Sequence, residues 1–82
     1  MATVRESVAQ RVTTEVARIF KRDINAITRD TRFIEDLDAK SISYTQLIAV
    51  LDDALDIDIP FMDLRRKKTV GEAIDYVTSL TS

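Results

Sequence analysis

Within the stretch "EDLDAKSISYT", Ser41 is the residue with the most chemistry open to it. A serine hydroxyl becomes a nucleophile only when a nearby base takes its proton. The chain has no histidine, which excludes Ser-His-Asp and Cys-His systems and leaves Lys40 as the adjacent base. An exposed lysine is protonated at neutral pH, and neighbouring residues on a helix do not face each other, so a Ser-Lys dyad is not expected. Two roles remain for Ser41: a helix cap, or an attachment point modified by another enzyme. Serine is among the best N-cap residues. However, Ser43 followed by Gln46 also has capping-box spacing, and one helix needs one cap. Ser41 is then spare.

Other clusters carry less. Without cysteine or histidine there is no disulfide framework and no thiolate or imidazole zinc site. Asp52, Asp53, Asp56 and Asp58 lack the glycine turn and terminal glutamate of a calcium loop, so a solvated face is expected and no metal site. The run "RRKK" at 65–68 has no aromatic interleaving and sits on a chain of net charge −2, a poor footprint for nucleic acid.

These residues must be positioned by a small scaffold. The chain of 82 residues reads as a single domain, 1–82, with one modest core and no room for a deep enclosed catalytic pocket. A content of 45% hydrophobic and 32% charged residues, with one glycine and one proline, favours a folded helical chain over a disordered one. No apolar run reaches the length of a membrane span, and "MATVRESVAQ" lacks the apolar core of a secretory signal. A cytoplasmic monomer with no membrane insertion is expected.

From about residue 3 to residue 20, Val4, Val8, Val12, Val16, Ile19 and Phe20 recur at three- and four-residue steps, predicting an amphipathic helix opened by a Thr3–Glu6 capping box. Residues 21–40 lose that periodicity and read as a long loop anchored by Ile24, Ile27, Phe33, Ile34 and Leu37. A second helix begins near Ser41 or Ser43, carries Tyr44, Leu47, Ile48, Leu51, Ala54 and Leu55 on its apolar stripe, and ends near Asp56. Ile57 and Ile59 lie in an extended connection, because the residue before Pro60 is pushed away from helical angles. "FMDLRRKK" could hold one or two helical turns with Phe61, Met62 and Leu64 inward. Thr69 caps the last helix with Glu72, and Val70, Ala73, Ile74, Val77 and Leu80 form its inner face. The expected fold is all-α: a small antiparallel four-helix bundle of three main helices plus one short helix, with a long loop between helices one and two.

At this point the spacing becomes specific. "F-x-E-D-L" at 33–37, a serine four residues after that leucine, Leu47, "I-x-I-P" at 57–60, "T-V" at 69–70 and "A-I-D-Y" at 73–76 follow one another without a gap. The stretch resembles the acyl or peptidyl carrier proteins. The resemblance implies a non-catalytic carrier with a 4′-phosphopantetheine arm joined to Ser41 by a separate phosphopantetheinyl transferase. The arm's thiol would hold acyl intermediates of a fatty-acid, polyketide or related pathway as thioesters. It further implies acyl-loading and acyl-processing enzymes as partners.

The departures from the family pattern are informative. Where that family commonly reads G-x-D-S-L, this chain has Asp38 for the glycine, Lys40 for the aspartate and Ile42 for the leucine. Ser43 and Gln46 stand where acids are frequent, so "SISYTQLIAV" carries no charge, and "RRKK" adds cations. A specialised carrier is therefore expected, recognised through Asp38, Ile42, Tyr44, Gln46, Ala49, Arg65 and Arg66, with Lys40 able to pair with the arm's phosphate. The competing expectation is an unmodified helical interaction module, which the reversed charge at Lys40 favours.

Overall fold

The computed structural model describes residues 4–81, with side chains from Ser7 onward. It is all-helical: α1 (Val4–Phe20), α2 (Phe33–Leu37), α3 (Ser41–Leu55), α4 (Phe61–Arg65) and α5 (Val70–Thr81), with a 3₁₀ turn at Ile24–Ala26. Among the described residues, the one strand-like pairing is an isolated bridge between Arg32 and Thr69. The Thr3–Glu6 capping box lies outside the described residues.

Four-residue spacing puts Val8, Val12 and Val16 on one stripe of α1, and all three are buried. They pack with Leu47 and Leu51 of α3 and with Val70, Ala73, Ile74 and Val77 of α5 in one core. Glu15, also buried on α1, is neutralised by Arg18 at 2.8 Å and Arg11 at 3.9 Å. At the start of α5 the expected capping box is present. The Thr69 N–H donates to Glu72 Oε2 at 3.1 Å, and the Glu72 N–H donates to Thr69 Oγ1 at 3.1 Å.

The long connection departs from expectation in detail. Ile27, Phe33 and Leu37 are buried as anticipated, but Ile24 and Ile34 are 46% and 60% exposed. Ile24 lies in the 3₁₀ turn, none of whose residues is buried, and Ile34 lies in α2, a single helical turn in which Phe33 and Leu37, four residues apart, share the inward side and turn it outward. The same logic corrects Met62: in one-turn α4, Leu64 is buried and Phe61 half-buried, which leaves Met62 56% exposed. Ala54 likewise sits on the exposed side of α3. Asp52 is no solvated acid, since its Oδ1 accepts the Ile59 N–H at 3.0 Å and holds the extended connection against the end of α3.

The connection is fastened to α5 through the chain's single glycine. The Gly71 N–H donates to the Arg29 carbonyl at 2.9 Å, and Arg29 Nη2 pairs with Asp75 at 2.8 Å. A Cβ on Gly71 would stand 2.9 Å from that carbonyl oxygen and 3.0 Å from Arg29 Cβ. Gly71→Ala therefore sets a helix-propensity gain of about 1 kcal/mol against an overpacking loss of about 1–3 kcal/mol. The expected result is a lower thermal midpoint. The left-handed positions, meanwhile, hold Lys21, Asp38 and Asp56, with φ of 56°, 52° and 53°. Lys21 and Asp56 immediately follow α1 and α3, where glycine is the favoured residue. Lys21→Gly and Asp56→Gly are each expected to raise stability by about 0.5–1 kcal/mol, read as a shift in the urea midpoint.

Candidate functional site

Three residues, 38 to 40, join α2 to α3, and their geometry fixes where Ser41 stands. Asp38 adopts φ 52° and ψ 45°, and its N–H donates back to the Ile34 and Phe33 carbonyls. The Ala39 N–H donates to the Phe33 carbonyl at 3.0 Å. These bonds satisfy carbonyls at the end of α2 and turn the chain sharply into α3. A left-handed residue at Asp38 also explains why a glycine suits this position, and aspartate is one of the few other residues that tolerates it.

Ser41 is the first residue of α3 and is exposed. Its carbonyl accepts the Thr45 hydroxyl at 3.1 Å. Its own hydroxyl makes no hydrogen bond among the described residues. Ser43 does not cap the helix, contrary to its Gln46 spacing. The N-cap residue is Lys40, with φ −115° and ψ 168° and no side-chain cap bond. The Lys40 carbonyl instead accepts the Ser43 and Tyr44 N–H groups at 3.0 and 3.3 Å. The Ser41 and Ile42 N–H groups have no acceptor among the described residues, so the positive end of a 15-residue helix is left open beside the Ser41 hydroxyl. Lys40 Nζ reaches Asp38 Oδ1 at 3.0 Å, an exposed pair.

Tyr44, expected at a partner surface, is corrected by the structure. It is 2% exposed, with its ring 5.5 Å from that of Phe33. Burial pushes its hydroxyl pKa up, partly offset by the Arg65 guanidinium, while Glu35 pushes it further up. Tyr44 is thus a core pillar beneath the first turn of α3. It falls four residues before Ile48 and three before Leu47 on the same stripe, a periodicity that signals burial.

Ile42, Gln46 and Ala49 are exposed, Ile42 by 67%. Gln46, Ala49 and Val50 form, with Arg18 and Ile19 of α1, one wall of an open cleft of about 450 Å³. Arg65 and Arg66 are exposed and line a different cleft with Ile34 and Glu35 of α2. The structure therefore gathers Asp38, Lys40 and Ser41 at one point. It separates the cleft lined by Gln46 and Ala49 from that lined by Arg65 and Arg66.

What this point can do chemically is limited and clear. It offers an accessible hydroxyl at a helix N-terminus, a setting suited to a covalently attached phosphate diester, and among the described residues no base is hydrogen-bonded to that hydroxyl. Residues 10–77 match the model of the phosphopantetheine attachment site family. The chain belongs to that family. It is similar to the acyl carrier protein of Lactobacillus johnsonii, 35% identical over 74 residues that cover 90% of this chain and 92% of the relative. The acyl carrier protein of Rickettsia canadensis is 36% identical over 72 residues, covering 88% and 84% of the two chains. The solved structure of the Enterococcus faecalis acyl carrier protein superposes with a TM-score of 0.77 at 32% identity, covering 93% of this chain and 96% of that one. As an acyl carrier protein the chain is a carrier and not a catalyst, acted on by modifying and acyl-processing enzymes.

Proposed function

We propose that Ser41 is the residue that carries the 4′-phosphopantetheine arm, and that the protein serves a dedicated acyl pathway rather than general fatty-acid synthesis. The observation that carries the first part is the exposed Ser41 hydroxyl, free of hydrogen bonds among the described residues, at the start of α3 within the matched span 10–77. The arm supplies a terminal thiol to which acyl groups are joined. The chain's own residues anchor and orient it. The unpaired Ser41 and Ile42 N–H groups and the positive helix end favour an anion at Ser41. Lys40, held by Asp38 at 3.0 Å, stands one residue away as a cation for the same charge, an exposed interaction of about 0–1 kcal/mol. Intact-mass spectrometry of protein purified from its native host tests this. An adduct mapped to the Ser41 peptide supports the reading, and a persistently bare serine replaces it with an unmodified interaction module.

The second part rests on charge. An acid at the N-cap position of α3 would bond the first-turn N–H groups and complement the helix dipole, stabilising the helix by about 0.5–2 kcal/mol. Lys40 forgoes that gain and puts a cation at the positive end. Local stability sacrificed at a site is what functional selection leaves behind. With Ser43 and Gln46 uncharged, enzymes that present cations to a carrier find repulsion here and no attraction. A general fatty-acid synthase enzyme is therefore expected to process the triple variant Lys40→Asp, Ser43→Asp, Gln46→Glu about 10-fold or more faster than wild type at low salt, with the gain fading at high salt. Equal turnover of the two proteins would refute the dedicated-pathway reading.

A further inference from the structure

The cations of α4 and the turn after it are not equivalent. Arg66 pairs with Asp63 at 3.9 Å, and Lys67 Nζ lies 4.8 Å from the centroid of the Tyr76 ring. Arg65 and Lys68 have no ionic partner among the described residues. Both line a cleft of about 210 Å³ whose other walls include Ile34, 60% exposed, and Glu35. Glu35, the one carboxylate lining the cleft, lies 3.6 Å from Arg32 and is outnumbered there by the cations of residues 65–68. The cleft's shape is held by the backbone, because the Phe33 N–H donates to the Lys68 carbonyl at 3.0 Å and so ties the start of α2 to the end of the basic run. It is also tied to the attachment end of α3 by the chain itself, since α2, which supplies Ile34 and Glu35, is joined to Ser41 by residues 38 to 40 alone.

An exposed isoleucine sharing a cleft with two cations that have no ionic partner among the described residues is a surface with a defined complement. We infer that this cleft docks an acidic segment of a partner enzyme that places a carboxylate between Arg65 and Lys68 and an apolar side chain against Ile34. The inference rests on the carrier reading, in that the partner is an enzyme working on the arm at Ser41. Two free cations are too few to follow a nucleic-acid backbone, whose binding grows with the number of phosphates neutralised. One apolar wall inside a cleft suits an inserted side chain better than a flat lipid surface. Charge complementarity of this kind sets encounter rate and partner choice, which a carrier visiting several enzymes needs.

The test is a titration of ¹⁵N-labelled protein, bare and transferase-loaded, with a helical peptide carrying leucine and glutamate on one face. Parallel titrations use a lysine analogue of that peptide, a single-stranded oligonucleotide and phosphatidylglycerol vesicles. The expected result is that the acidic peptide shifts the amide signals of Ile34, Arg65 and Lys68. Its affinity should fall about 10-fold in Arg65→Glu/Lys68→Glu and by a smaller factor in Ile34→Ala. Arg22→Glu, at an exposed position after α1, should leave it unchanged. Equal affinity in the double reversal, shifts located elsewhere, or equal binding of the lysine analogue would overturn the inference. Tighter engagement of the same residues by oligonucleotide or vesicles would overturn it too, in favour of that ligand. Because the bare protein is titrated as well, a failure at this cleft is distinguishable from a failure of Ser41 to be modified, which is read from mass alone.

Discussion

Replacing Ser41 with alanine is expected to abolish phosphopantetheine transfer completely and to leave the fold intact. The hydroxyl is the only part of the side chain that the exchange removes, and it makes no hydrogen bond among the described residues. Ser41 is a helical residue rather than the N-cap, so no cap is lost, and alanine is the better helix former by up to about 0.7 kcal/mol. The thermal midpoint should hold or rise slightly. Both proteins are incubated with coenzyme A and a broad-specificity transferase and weighed intact. Mass should be gained by wild type and by the control Ser43→Ala, and not by Ser41→Ala. The control is informative because Ser43 also makes no cap bond, so its loss perturbs the helix equally little. Identical mass gain on Ser41→Ala would move the attachment elsewhere and remove the basis for reading α3 as the arm-bearing helix.

The two ends of the chain were the legible part. The stripe of Val8, Val12 and Val16 on α1 and the Thr69–Glu72 box of α5 are long-period and short-range signals that need no tertiary information, and both stand as read from the sequence. Residues 21–40 were less legible for a physical reason. A single turn such as α2 shows too few residues for helical periodicity to register, so Phe33 and Leu37 read as isolated anchors rather than as two positions on one helix face. Ile34 and Met62 were misplaced by the same limit, since an apolar residue in a one-turn helix faces inward or outward according to neighbours that only the fold supplies. At the site, Ser41 was legible from spacing, but the capping logic was not. Capping requires the N-cap residue to be non-helical, and the bonds of Asp38 and Ala39 to α2 place that break at Lys40, three residues before Ser43 of the Ser43–Gln46 spacing. Tyr44 was read both on the apolar stripe of the second helix and at a partner surface, and its burial beside Leu47 and Leu51 decides for the stripe.

The largest effect on stability is expected from Phe33→Ala, because one ring joins three parts of the site's support. Phe33 is fully buried, with centroids 6.3 Å from Phe20 of α1 and 5.5 Å from Tyr44 of α3, both in tilted arrangements. Its backbone is equally committed: the N–H donates to Lys68, and the carbonyl accepts the Asp38 and Ala39 N–H groups that turn the chain into Ser41. Truncation leaves a void that helices on two sides cannot both close, and such changes cost about 3–5 kcal/mol. A chain of this size has total stability of about 4–12 kcal/mol, so the loss is a large fraction of it. Urea unfolding of wild type, Phe33→Leu and Phe33→Ala measures the effect. The leucine variant, which keeps much of the volume, should lose about 1–2 kcal/mol, and the alanine variant clearly more. Transfer of phosphopantetheine to Phe33→Ala should slow in proportion to the folded fraction, because the hydroxyl at Ser41 is presented only when α2 seats the turn before it. A midpoint that barely moves in Phe33→Ala would mean that the connection is held by its hydrogen bonds to α5 alone, through Arg29 and Thr31, and that the ring is not what positions the start of α3.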